Sequence, residues 1–253
     1  MMMNIYHSQE SLEQNNWLSK KISSLLRSES VFVDVGTERG ELIFPMIQKV
    51  DRISIYAIEP DLIKFEQLKQ NSLQWERGSN NKIYALNIAM SDRDGQASFM
   101  RSQLPNNKSL FKSNLSQVKD EFKESSSWEE ITVDVFKLDT LFKPIKPTLI
   151  RIDVGGDELK ILQGSVNILK EGKTEFLMNL KHQYTNKSKD SLEQIYKFMK
   201  SFDYTPKNLD EAILFVNQQK RDRHKVFFEN FKKLFRKIVP ATWRYRIKEL
   251  IKK

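Results

Sequence analysis

The chain has 253 residues, enough for one large α/β domain or a domain with an appendage. It contains no cysteine, which excludes disulfides and thiolate metal sites, and no apolar run approaches the roughly 18 residues that a bilayer-spanning helix needs. The net charge of +9 is local: residues 220–253 carry 13 Lys/Arg against three acids, while the preceding 219 residues sum to −1.

Met1 to Glu10 lacks the basic start and apolar stretch of a secretion signal, so a cytoplasmic protein is the expectation. Ser11 to Leu26 reads as an amphipathic lead-in helix, with Leu12, Trp17, Leu18, Ile22, Leu25 and Leu26 near helical spacing. Val31 to Val35 is a short β-branched run that ends in Gly36-Thr37-Glu38-Arg39-Gly40, and Glu41 to Lys49 follows as a helix. Strand, glycine turn and helix form the first half of a nucleotide-binding βαβ unit. The second strand, Ile53 to Ile58, ends in Glu59, where such folds place a carboxylate on a ribose diol.

Asp61 to Asn71 reads as the second helix after Pro60, and Lys82 to Ala89 as a third strand with Asn87 near its exit. Gly95 to Met100 is an added strand after the turn Asp92-Arg93-Asp94-Gly95. Leu104 to Glu130 is polar and long for a connection, with a weak helix over Gln117 to Phe122. Ile131 to Val135 is a strand, Leu138 to Phe142 a turn of helix, and Thr148 to Val154 a strongly apolar strand carrying Asp153. After Gly155-Gly156, Asp157 can cap a helix over Glu158 to Lys170. Glu175 to Leu180 is a strand, Asp190 to Phe202 a helix, and Tyr204 to Lys207 with Ala212 to Val216 a closing strand pair.

This alternation predicts an α/β, Rossmann-like fold: a mostly parallel seven-stranded sheet with an antiparallel edge strand and helices on both faces. The predicted organisation is a helical lead-in over 1–30, the main domain over 31–219, and a basic amphipathic helical tail over 220–253. Of eight glycines, Gly36, Gly40, Gly155 and Gly156 fall in two strand-exit turns, which points to one cleft at the carboxyl ends of the strands.

The first turn has the spacing Gly36-x-x-x-Gly40, not the three-glycine fingerprint that packs a pyrophosphate on a helix. With Asp34 beside it and Glu59 at the next strand tip, it reads as a pocket for S-adenosylmethionine, which has no phosphate to cradle. Asn87 can reach an adenine edge or serve the turn. A nicotinamide-dependent oxidoreductase is the disfavoured third reading.

Five pieces of the chain resemble the FkbM family of methyltransferases. They are Phe32-Val33-Asp34-Val35-Gly36-Thr37-Glu38-Arg39-Gly40, Ala57-Ile58-Glu59-Pro60, Asn87-Ile88-Ala89-Met90-Ser91-Asp92, Leu138-Asp139-Thr140-Leu141, and the run from Ile150 through Asp153 to Gly164. The resemblance covers about Val31 to His182. It implies an S-adenosylmethionine-dependent enzyme that methylates hydroxyl groups, often on sugars or natural products and hence in polysaccharide biosynthesis. Asp34, Gly36, Thr37, Gly40, Glu59, Pro60 and Asn87 would bind the cofactor, and Asp153 would face the reacting methyl group, with His182 as a second catalytic candidate. No metal is assigned, since Asp153 and Asn179 supply too few hard oxygen ligands for Mg2+.

The chain departs from the family at Gly155, where a glutamate usually stands, at Asp157, where an alanine or aromatic residue is usual, and at Asn179, near which a glutamate usually ends the strand. The departures at Gly155 and Asn179 support an alternative: a catalytically degenerate methyltransferase fold that binds a membrane surface or partner through its tail.

In that tail, Phe227, Phe228, Phe231, Leu234, Phe235 and Ile238 share one helical side, flanked by Lys232, Lys233, Arg236 and Lys237. The pattern over 225–253 suits peripheral contact with anionic lipid at the inner membrane face, or packing on a partner, the body or a second copy. Nucleic acid is disfavoured because the body offers no basic groove. The expected partner at the cleft is a small-molecule or glycan substrate.

Overall fold

The computed structural model describes residues 9–102, 110–111, 128–179, 189–209 and 212–218. The weak helix over 117–122, His182 and the tail over 220–253 lie outside the described residues.

The central element is β1 (Val31–Val35), a β-branched strand whose last four residues are buried. β2 (Ser54–Ile58) and β3 (Lys82–Leu86) extend the sheet on one side of it, in parallel. β8 (Leu149–Ile152) and β9 (Glu175–Met178) extend it on the other, also in parallel. β11 (Ala212–Asn217) pairs antiparallel with both β9 and β10 (Tyr204–Leu209). The order of the seven strands is β10-β11-β9-β8-β1-β2-β3, so the reversed strand β11 inserts beside the edge strand β10. Chain direction across the sheet switches between β1 and β8, and a crevice opens beyond the carboxyl ends of strands at such a point.

Helices cover both faces. On one face Phe32, Ile55, Ala57, Leu149 and Leu177 pack with Leu18 and Ile22 of α1 (Gln9–Leu25), Met46 of α2 (Ile43–Ile47) and Leu68 of α3 (Leu62–Arg77). On the other face Val33, Val35, Ile150, Ile152 and Phe176 pack with Leu138 of α4 (Leu138–Leu141), Ile161 of α5 (Glu158–Gln163), Leu169 of α6 (Val166–Glu171) and Ile195 of α7 (Lys189–Lys200). The lead-in helix is thus part of the main core.

Three differences from the sequence expectation bear most on the strand exits. α3 runs to Arg77 rather than Asn71, capped at its start by Asp61, whose Oδ1 accepts from Ile63 N at 3.0 Å. The expected helix over 158–170 breaks into α5 and α6. The backbone at Gly164 lies so close to the Ser91 carbonyl that no Cβ would fit there, and the Asp139 carboxylate accepts from Asn167 N and Ile168 N to start α6 afresh. The expected third strand ends at Leu86.

Beyond it, β4 (Ala89–Met90) joins a second, four-stranded sheet, in the order β4-β7-β5-β6. Its long members, β5 (Gly95–Ser102) and β7 (Trp128–Phe136), pair antiparallel, and β6 (Leu110–Phe111) closes it. Among the described residues no helix is long and apolar enough to cross a membrane.

Candidate functional site

Side chains alternate along a strand, so the in-register positions Asp34 on β1 and Arg151 on β8 share a face with Phe32 and Leu149. Asp34 is fully buried, and its Oδ1 accepts from an Arg151 guanidinium nitrogen at 2.7 Å. The other terminal nitrogen of Arg151 donates to Asp153 Oδ2, at the exit of β8. Burial works against the guanidinium charge, but the adjacent Asp34 and Asp153 carboxylates outweigh it, and the group is held above its ordinary value. Among the described residues, Asp34 Oδ2, Thr37 Oγ1 and Arg151 Nε are buried and have no hydrogen-bond partner.

The turn after β1 is wound tightly, with left-handed backbone at Gly36, Glu38 and Gly40. Gly36 lies against the Asp153 carbonyl, leaving no space for a Cβ. All five of the turn's backbone N–H groups are committed: Gly36 and Thr37 donate to the Ile58 carbonyl, Glu38 to Glu59, Arg39 to Glu41, and Gly40 to the Thr37 carbonyl. Gly40 serves a different purpose from Gly36. A Cβ there would meet the Trp75 ring at 2.8 Å and Leu68 at 2.9 Å, so the glycine lets α3 close over the turn.

Glu59, at the tip of β2, ties the strand exits together. One carboxylate oxygen accepts from Glu38 N at 2.9 Å and the other from Asp61 N at 2.9 Å. Burial raises its pKa to about 7, against the lowering influence of the Lys64 ammonium and the Asp61 backbone hydrogen bond, with Glu38 and Asp61 adding to the rise. Lys64 is itself buried and lies 3.8 Å from Glu38. The Asn87 side-chain amide donates to the carbonyls of both Glu59 and Pro60, at 2.9 and 3.0 Å. Both of its N–H donors therefore brace the loop after β2 and are not available to a purine edge.

The structure thus brings Asp34, Gly36, Thr37, Glu59, Pro60 and Asp153 to the carboxyl ends of adjacent strands at the switch point, with Asn87 behind them as a brace. Gly40 is set back against α3. Arg151 was not singled out by the sequence reading, although a lone charge within Leu149-Ile150-Arg151-Ile152, two residues before Asp153, is a readable signal. Glu38 and Lys64 had no such signal.

Glu59 also gives the fold a pH dependence. Its folded-state pKa of about 7 lies above the ordinary 4.5, so the folded protein holds a proton that the unfolded chain has lost. That contribution to stability is complete below pH 4.5 and is lost as pH rises through 7, a change of up to about 3 kcal/mol. Denaturant unfolding of the wild type and Glu59→Gln at pH 5 and pH 8 is expected to show the difference moving in favour of the glutamine variant at pH 8. The offset from altered hydrogen bonding is common to both pH values. An unchanged difference would show that Glu59 stays charged throughout.

Comparison with known proteins bears on the family and the fold. The family model described as the methyltransferase FkbM domain matches residues 34–206. A crystal structure of methyltransferase FkbM from Methylobacillus flagellatus KT aligns with a TM-score of 0.50 and 20% identity, over 76% of this chain and 45% of that one. This chain therefore spans under half of that protein's length. A precorrin-6y C5,15-methyltransferase from Geobacter metallireducens GS-15 aligns at 10% identity and TM-score 0.44, over 85% of this chain and 90% of that one. A magnesium protoporphyrin IX methyltransferase from Synechocystis PCC 6803, crystallised with bound SAM, aligns at 9% identity and TM-score 0.42, over 82% and 77%. No curated protein matches the chain. The family match spans more than half of the sequence and takes in Asp34, Glu59 and Asp153 alike, and the chain belongs to the FkbM methyltransferase family.

Proposed function

We propose that this protein is an S-adenosylmethionine-dependent O-methyltransferase acting on a hydroxyl of a sugar, glycan or other small molecule. The observation that carries the reading is the buried Glu59 carboxylate at the tip of β2, one strand from Asp34 at the switch point.

The chemistry of the site fits this donor. Each Glu59 oxygen accepts one backbone N–H and keeps a further lone pair for a ribose hydroxyl. The turn over residues 36–40 has no backbone donor left for a pyrophosphate, which S-adenosylmethionine lacks and a dinucleotide presents. Two carboxylates around one guanidinium favour a cationic ligand.

When bound, the donor supplies an electrophilic methyl group on a sulfonium. Glu59 and Pro60 would hold its ribose, with Asn87 fixing their loop; Asp34, Gly36 and Thr37 would hold its amino-acid end. Gly40 would act only by letting α3 pack. Asp153, at the β8 exit, would orient the acceptor hydroxyl or take its proton, and positioning alone supplies much of the rate in such a transfer. His182 is kept as an alternative base on its sequence position.

A second reading has its own support. Arg151 already engages Asp153, and Gly155 stands where the family usually has a glutamate, both of which suit a fold that binds the cofactor without turning it over.

Calorimetric titration with S-adenosylmethionine is expected to show binding, with affinity falling roughly 10- to 100-fold in Glu59→Ala as two charge-assisted hydrogen bonds are lost. NAD is expected not to bind; the reverse preference would sink the reading. With candidate glycans as acceptors, Asp153→Ala is expected to slow methyl transfer by at least roughly 100-fold while cofactor affinity holds. Cofactor binding with no transfer by the wild type would favour the second reading.

The basic amphipathic pattern over 225–253 supports peripheral attachment at the inner membrane face, which would bring the cleft to lipid-linked saccharides. The full chain is expected to float with vesicles containing anionic lipid, and a chain ending at residue 224 to stay behind. Equal behaviour of the two would remove the membrane from the account.

A further inference from the structure

The first turn of α3 is built against local rule. Leu62 and Ile63 are more than half exposed there, while the next residue, Lys64, is only 5% exposed. Lysine is seldom buried unless it is paired. Lys64 is also the third residue after the Asp61 cap, where glutamate or glutamine commonly completes the cap and where the helix dipole disfavours a cation. Burial and position both count against a lysine here, so opposite charge must offset them.

That charge gathers at the tip of β2. Glu59 comes from the strand end, Glu38 from the turn after β1, and Asp61 from the α3 cap, and all three act on one another's surroundings. Lys64 Nζ lies 3.8 Å from Glu38 Oε2, and among the influences on Glu59 it is the largest that favours the charged carboxylate. Arg151 is a second cation in the field of Glu38.

Glu38 links the two residues. Its backbone is left-handed, at φ +54°, which is uncommon for a residue with a side chain. Its N–H donates to Glu59 Oε2 at 2.9 Å while its carboxylate faces Lys64. The lysine therefore reaches Glu59 by its own charge and through the residue whose backbone holds that carboxylate.

We infer that Lys64 is a positioning residue for the methyl donor: with Glu38 it favours the charged form of the Glu59 carboxylate and fixes it towards the donor's ribose. The inference rests on the cofactor reading above and goes beyond it, since Lys64 acts through Glu59 and needs no contact with the donor.

Two measurements on the full chain distinguish this from a lysine that only stabilises the fold. The first needs no cofactor: carbon-13 NMR of the Glu59 carboxyl, assigned with Glu59→Gln and followed from pH 5 to pH 9. The midpoint is expected at about 7 in the wild type, about one pH unit higher in Lys64→Met, and close to the wild type in Lys64→Arg. The second is calorimetric titration with S-adenosylmethionine. Lys64→Met is expected to bind about tenfold more weakly than the wild type at pH 6 and within about twofold of it at pH 8.5, where Glu59 is charged in both. Lys64→Arg is expected to stay within about twofold throughout. Titration of the donor's own amino group is common to all variants. Lys64→Gln, which also removes the charge, serves if the methionine variant does not fold.

An unmoved NMR midpoint, or a loss of affinity that is the same at both pH values, would overturn the inference while leaving the cofactor reading intact. Failure of the wild type to bind S-adenosylmethionine at either pH would overturn the cofactor reading, and the inference with it.

Discussion

Arg151 stands within a strand that is otherwise Leu149, Ile150 and Ile152, and it can be buried there only because Asp34 and Asp153 flank it. An isolated charge at that depth would cost several kcal/mol, and removing one partner of such a buried pair commonly costs about 3–5 kcal/mol. The contrast with the surface is large: the exposed Arg52–Glu29 pair, at 3.8 Å, belongs to a class contributing about 0–1 kcal/mol. The pairing also has a direction. It joins β1 to β8 at the one place where the order of the sheet reverses, so the cost of burying it is borne at the crevice and nowhere else.

Two further constraints keep that crevice in shape. Gly36 lets the β1 turn sit directly on the Asp153 carbonyl, while Gly40 lets Trp75 and Leu68 bring α3 down over the other end of the turn. Glu59 then binds the turn to the start of α3 through Glu38 N and Asp61 N, and Asn87 holds the loop between from below. A carboxylate used in this way is costly in water-poor surroundings, which is why its pKa rises to about 7. A ligand hydroxyl donating to it would stabilise the charged form, so ligand capture and ionisation of Glu59 would reinforce one another.

The sheet was legible because its parallel strands are buried on both faces, and so read as short β-branched runs such as Val31 to Val35 and Leu149 to Ile152. Asp34, Glu59 and Asp153 stand out against the same runs, Asp34 as the acid within the first and Glu59 and Asp153 as the acids just past the ends of the others. The smaller sheet was harder to see. The bodies of β5 and β7 were expected as strands, but β4 has only two residues, and the start of β7, where Glu129 pairs with Arg101, resembles a loop in composition. The break between α5 and α6 depends on contacts with Ser91 and Asp139, remote in sequence, and local periodicity cannot report it. The division of labour between Gly36 and Gly40 was hidden likewise, since both are glycines in one turn and only α3 distinguishes them.

Asp153 shows how the pairing with Arg151 bears on chemistry. A carboxylate that accepts a guanidinium hydrogen bond has part of its lone-pair capacity spent and its negative charge partly balanced, which blunts it as a proton acceptor. The same bond fixes its orientation, because Arg151 is fixed in turn by Asp34. Under the proposed transfer to a hydroxyl, an acid held in this manner would be better suited to aligning the acceptor than to stripping it. The residues at the β8 exit therefore favour a site in which the geometry of the approach, more than the strength of a base, would set the rate.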